Sequence, residues 1–206
     1  MNKNIYTPKE ELMNTTTHAL GIVLGIVAAF FLLNRPLAMA SGWATGAVIV
    51  YLVGMMLSYV SSTLYHGTTH NGRKNVLQKI DHAAIYIHIA GTYTPFTLVT
   101  LLNKGYWGWA LFSFVWLAAI VGTLFSFRKM DKHSHIETIC YVVMGCAILV
   151  AFKPLVDVLS LIAGGASYII GALFYSFTKI RYMHSIFHLF VLGGSICHII
   201  AIYIAL

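Results

Sequence analysis

Apolar residues in this chain are gathered into seven long runs, roughly 18–34, 43–65, 80–102, 107–127, 136–152, 155–178 and 185–206. A bilayer-spanning helix needs about 20 mostly apolar residues; most of the runs reach that length, and the fifth is at the short limit. The connections are only a few residues long except at 66–79, and residues 1–17 are polar. The pattern predicts an all-α integral membrane protein, with an N-terminal segment over 1–17 and a single seven-helix transmembrane domain over 18–206. Gly21 with Gly25, Gly164 with Gly165 and Gly193 with Gly194 suit close helix packing. Pro95 is expected to kink the third helix.

Composition agrees with the pattern. Apolar residues make up 59% and charged residues 9% of the 206 positions, against about 25% charged in an ordinary soluble domain. Mean hydropathy is +0.79. Cys140, Cys146 and Cys197 lie inside apolar runs without metal-ligand spacing, and read as packing residues rather than a disulfide framework. The basic start, the first run and Ala38-Met39-Ala40 imitate a cleaved signal peptide. The acidic residues ahead of that run, and its length, argue that it is retained.

The net charge of +7 is read as topology, not as affinity for nucleic acid. With the N-terminus inside, the inner segments hold Lys3, Lys9, Arg73, Lys74, Lys79, Arg128, Lys129, Lys132, Lys179 and Arg181, and the outer loops only Arg35, Lys104 and Lys153. Ten against three is a positive-inside signal that places the N-terminus in the cytoplasm and the C-terminus outside. Trp43, Trp107 and Trp109 then fall at outer helix ends as interfacial aromatics.

Orientation decides which polar residues share a depth. Ser62 and His66 close the second span at its inner end, Asp81 opens the third there, and His184 and His188 open the seventh. Residues four apart on a helix share one face, so the His184/His188 pair can grip one metal ion. With His66 it makes three imidazoles, the open zinc site of a hydrolase rather than the four-ligand site of a structural metal. Zinc lowers the pKa of bound water to about 7. Asp81, the one acidic residue that looks embedded beside histidines, is the candidate to orient that water or take its proton, with Ser62 assisting. Three imidazoles and water could also accept other divalent ions.

These stretches carry a resemblance. Ser62-Thr63-Leu64-Tyr65-His66, Lys79-Ile80-Asp81-His82 and His184-Ser185-Ile186-Phe187-His188 resemble the signature segments of the progestin and adipoQ receptor superfamily, whose bacterial branch is the hemolysin III family. The opening, Glu10 to Gly21, and Gly91-Thr92-Tyr93-Thr94-Pro95-Phe96 are similar to hemolysin III segments too. The resemblance runs from residue 10 to the C-terminus. It implies seven helices with a cytoplasmic N-terminus in a bacterial inner membrane. It also implies a zinc ion near the inner leaflet on His66, His184 and His188, with a water between metal and Asp81. Adiponectin receptors of this superfamily are associated with ceramide hydrolysis, and related alkaline ceramidases share the site. The chain lacks the receptors' long N-terminal domain, which argues against a hormone-receptor role.

The leading expectation is therefore a zinc-dependent hydrolase of a membrane lipid amide or ester. The alternatives are a non-enzymatic membrane sensor or regulator with structural zinc, and a pore-forming hemolysin suggested by the family name alone. Substrate and oligomeric state are left open. His18 reads either as support for the site or as a helix-start cap. His88 and His198 line a deeper polar path or bond to carbonyls. His70 and His82 are expected to be cytoplasmic or interfacial, and His133 with His135 to lie in a solvated loop.

Overall fold

The structure is a computed structural model that describes residues 6–128, 136–151, 158–177 and 179–206. The described residues are helical, with no strand among them. Helices α1 (Pro8–Leu33), α3 (Gly42–Gly67), α4 (Asn71–Pro95), α5 (Trp107–Ser126), α6 (Ile136–Cys146), α7 (Val158–Ser176) and α8 (Met183–Ala205) each overlap one of the seven apolar runs, α1 and α4 starting well before theirs. The short α2 (Pro36–Ala40) turns the chain between α1 and α3. By length and composition α1, α3, α5, α7 and α8 can each cross a membrane. Helix α4 falls short in hydropathy because its first turns are polar and because it carries Asp81, His82 and His88. The apolar helical stretch that begins with α6 and runs on into a 3₁₀ turn covers only Ile136–Leu149.

Helix α1 begins about three turns before its apolar run, and a local signal sets the start. Thr7 accepts from the backbone N–H of Glu10, the Glu10 carboxylate accepts from Thr7 N–H at 2.9 Å, and Pro8 occupies the first turn. This capping box satisfies donors that a helix start leaves free. The polar residues 8–17 are thus helical, not a segment preceding the helix. His18 sits mid-helix and cannot be a helix-start cap.

Helix α3 packs chiefly on α4 and α1, α8 on α7 and α1, and α5 on α4, while α6 touches α4, α5 and α7. Helix α1 consequently packs on both α3 and α8. Without a hydrophobic drive between helices in lipid, such packing depends on close approach. Gly21 supplies it for α1 and α3, since a Cβ there would lie 2.2 Å from the Tyr59 ring. A Cβ on Gly54 would lie 2.9 Å from the Ile87 carbonyl of α4. Gly25, Gly164 and Gly194 also face close neighbours, whereas Gly165 faces open space.

The helix changes character at Pro95. Lacking an N–H, the proline ends regular α-bonding, and Phe96–Thr100 form a π-helical turn closed by Leu101 N–H on the Phe96 carbonyl at 2.8 Å. The Trp43 indole donates to the Leu98 carbonyl in this turn at 2.7 Å. Large apolar side chains cover the perimeter, among them Phe30, Leu117, Val121 and Leu173. Polar groups are instead buried inside the bundle, as a lipid solvent demands.

Candidate metal centre

Two helix ends and the interior of a third helix deliver the predicted residues to one place; Asp81 does not open its helix as expected, because α4 already begins at Asn71. Ser62 and His66 lie one turn apart near the C-terminus of α3, Asp81 lies in α4, and His184 and His188 lie one turn apart at the start of α8. All are buried except His184, which is partly so. His184 Nε2 is 3.1 Å from His66 Nε2 and 3.0 Å from His188 Nε2. These three form the one group of at least three metal-ligating side chains found among the described residues, with ligand atoms all within 4.8 Å of one another.

The entry of the chain into α8 is built for this placement. Tyr182 has φ 65°, the only positive value at a described non-glycine residue. A left-handed conformation at such a residue costs on the order of 1–3 kcal/mol and needs surrounding structure to hold it. Here the Tyr182 N–H donates to Glu10 Oε1 at 3.0 Å. The start of α1 thus anchors the start of α8 one residue before Met183 and two before His184.

The outer ring nitrogens decide what the inner ones can do. His66 Nδ1 lies 2.7 Å from Glu11 Oε2. An ionised carboxylate only accepts, so that nitrogen carries a proton, and in the neutral ring His66 Nε2 presents a lone pair. His188 Nδ1 lies 3.2 Å from the Asn14 carbonyl oxygen, again a pure acceptor, which leaves His188 Nε2 bare as well. The Thr17 hydroxyl is 3.0 Å from the same Nδ1 and can accept from it while donating to the Met13 carbonyl at 2.8 Å. Two lone pairs therefore converge on His184 Nε2. A proton there serves one of the two contacts, whereas a cation serves all three nitrogens. Nitrogens at the zinc distance of about 2.0–2.1 Å in tetrahedral array are about 3.3 Å apart, close to the separations His184 shows. The donor set fits a divalent ion with a nitrogen preference.

The Asp81 carboxylate is buried, and Ser62, His66 and His82 are among the groups that interact with it. The expectation that Asp81 alone among the acids is embedded is too narrow. Glu10 and Glu137 are buried as deeply, each because its oxygens are claimed by specific donors. Glu137 takes His82 Nδ1 at 2.6 Å and the Ser126 hydroxyl at 2.6 Å. His82 Nδ1 is thereby paired with the Glu137 carboxylate while its side chain stays partly exposed. His18 donates no hydrogen bond to a ligand; its ring stacks on His188 at 3.5 Å between centroids. His88 and His198 lie deeper, beside Tyr51 and Tyr59 and beside Tyr168 respectively. His70 caps α4, accepting from Arg73 N–H. His133 and His135 lie outside the described residues.

Tyr6 closes the near side, its ring 4.9 Å from that of His184 and 5.8 Å from that of His66. Burial, then the neighbouring Tyr175, pushes its phenol pKa up, so the hydroxyl stays neutral and able to donate. A cavity of about 150 Å³ opens beside His184, lined also by Tyr6, Tyr175, Lys179 and Arg181. Glu11, Asn14, Thr17 and Tyr6 are the residues that sequence reasoning overlooked. The signal for two of them was Thr7-Pro8-Lys9-Glu10, because a helix starting at Pro8 places Glu11 and Asn14 on one face with His18.

Fold and site together define a polytopic helical membrane protein with a buried three-histidine centre at one end of its bundle. The sequence comparisons specify the class further. The chain belongs to the haemolysin-III related family, whose profile matches residues 6–199, and so to the progestin and adipoQ receptor superfamily. It is 42% identical to Hemolysin-3 of Bacillus cereus, over 91% of this chain and 87% of that one. It is likewise 42% identical to a Hemolysin-3 homolog of Bacillus subtilis strain 168, over 93% and 92% of the two chains. At 30% identity, over 94% of this chain and 83% of the relative, it is similar to the human monocyte to macrophage differentiation factor.

Proposed function

We propose that this chain is a zinc-dependent hydrolase of a membrane lipid amide or ester, with His66, His184 and His188 holding the metal. The reading rests on one observation above all: the Nε2 atoms of His66 and His188 lie 3.1 and 3.0 Å from His184 Nε2 while their Nδ1 atoms lie against the acceptors Glu11 Oε2 and the Asn14 carbonyl. The ion, when bound, would supply Lewis acidity that makes water a nucleophile near neutral pH. Asp81 would take the proton of the attacking water and return it to the leaving amine or alcohol as the carbonyl–heteroatom bond breaks. Ser62, beside Asp81, would orient that carboxylate and can donate to the substrate carbonyl. Three protein ligands rather than four leave room for substrate chemistry.

The same reading takes the chain as one seven-span domain of a bacterial inner membrane, with the N-terminus cytoplasmic and the C-terminus outside. Lys9, Lys74, Lys79, Lys179 and Arg181 stand near the helix ends that carry the three histidines, and Arg35 and Lys104 near the opposite ends. That distribution supports a cytoplasmic metal site.

A metal-dependent hydrolysis screen over a lipid panel tests the activity, with Asp81→Ala as control. The expected result is turnover by the zinc-loaded chain and none by a variant that still binds metal. Equal turnover by both would exclude the role given to Asp81. One observation favours a second reading, a membrane regulator in which zinc is a clamp. The ligands come from two helices, His66 from α3 and His184 and His188 from α8, so a bound ion would tie the two together. In that case metal removal lowers thermal stability and no lipid of the panel is cleaved.

A further inference from the structure

Glu11 has no part in the chemistry above, yet it makes the shortest contact described for any of the three histidines. Its Oε2 lies 2.7 Å from His66 Nδ1, and its Oε1 lies 2.8 Å from Lys74 Nζ. Lys74 is itself fixed, donating to the Tyr65 carbonyl at 3.2 Å and the Thr68 carbonyl at 3.1 Å where α3 ends. Its ammonium also sits 5.0 Å from the centre of the Tyr65 ring. The three residues come from α1, α3 and α4, so the carboxylate is aimed by tertiary contacts and not by its own helix. The Asn14 amide is the other group near His66 Nδ1, but at 3.5 Å it is at the limit of a hydrogen bond.

A metal-bound imidazole binds best when its remote N–H is donated to a carboxylate, which fixes the tautomer and the ring plane. We propose that Glu11, held in place by Lys74, is the positioning residue of the centre, keeping His66 Nε2 bare and aimed at the other two imidazoles. The inference rests on the metal reading of the site and adds to it a requirement on the first turn of α1. Neither residue touches the place where substrate would react.

The test uses the full chain in detergent, stripped of metal and titrated with cobalt(II), reading the dissociation constant and the ligand-field spectrum. The melting temperature of the metal-free protein is measured alongside. Glu11→Gln is expected to weaken cobalt binding by about 10–100-fold and to alter the spectrum. Lys74→Met is expected to weaken it less, and the double variant no more than Glu11→Gln alone, since both act through one contact. A Glu11→Gln dissociation constant within about twofold of wild type overturns the proposal. So does a loss confined to the melting temperature of the metal-free protein, which would mark a packing role. If Glu11→Gln does not fold, Lys74→Met decides, because its loss must appear in cobalt affinity. A wild-type chain that binds no cobalt would instead overturn the metal function itself.

Discussion

The hydroxyl of Ser185 donates to Oδ1 of Asn14 at 2.6 Å, joining the second residue of the His-Ser-Ile-Phe-His segment to the first helix. Three residues further along α8, His188 Nδ1 donates to the Asn14 main-chain carbonyl at 3.2 Å. Asn14 therefore sets the register of α8 against α1 with both its side chain and its backbone. It is fully buried, so these contacts cannot be exchanged for water.

Asn14→Leu should leave the Ser185 hydroxyl without its acceptor at a buried site. An unsatisfied buried group costs about 1–3 kcal/mol, and thermal unfolding in detergent should show a loss of that size. Ser185→Ala, which removes the donor instead, should cost less than Asn14→Leu. Equal losses would mean that Asn14 acts through its volume alone.

Asp81→Ala should retain one metal ion per chain by elemental analysis while losing lipid hydrolysis. A positioned general base contributes about 10²–10⁴-fold to rate, so residual turnover above a tenth of wild type would argue that Asp81 only packs.

Removal of metal by a strong chelator should lower the melting temperature of the wild type. Binding at a concentration 1,000 times the dissociation constant stabilises by about 4 kcal/mol. His66→Ala should melt at the same temperature with and without chelator, having lost the ligand that α3 contributes.

Glu137→Ala should separate the second polar cluster from the first. It strips both His82 and the Ser126 hydroxyl of their 2.6 Å partner, at an expected cost of about 1–3 kcal/mol. Metal stoichiometry should be unchanged, because Glu137 contacts none of the three centre histidines. Loss of metal along with stability would show that the α4–α6 junction controls the centre.

Gly21→Leu should prise α1 from α3. A Cβ at that position already meets the Tyr59 ring at 2.2 Å, and the Tyr59 hydroxyl shares a 2.7 Å hydrogen bond with Ser195 of α8. Overpacking of this kind costs about 1–3 kcal/mol, and metal affinity should fall with it, because His66 is carried by the same helix as Tyr59. Unchanged affinity would show that the inner ends of the helices hold their geometry independently of the core.

Apolar run length placed a helix on each of the seven runs, five of them long and apolar enough to cross a membrane, because a helix in lipid must be apolar over most of its length whatever its neighbours are. The i, i+4 spacing put His184 beside His188 and Ser62 beside His66, since that proximity belongs to the helix itself. The sequence could also place those ends and Asp81 at one depth through the distribution of Lys and Arg. Folding had to decide that α1 packs on both α3 and α8, because helix order is a matter of packing that leaves no periodic trace in any one segment. The partners of each ring nitrogen followed from that order: Glu11 and Asn14 meet His66 and His188 only once three helices are assembled. A residue's type shows that it can accept a proton, but not which donor distant in the chain will be brought within 3 Å of it.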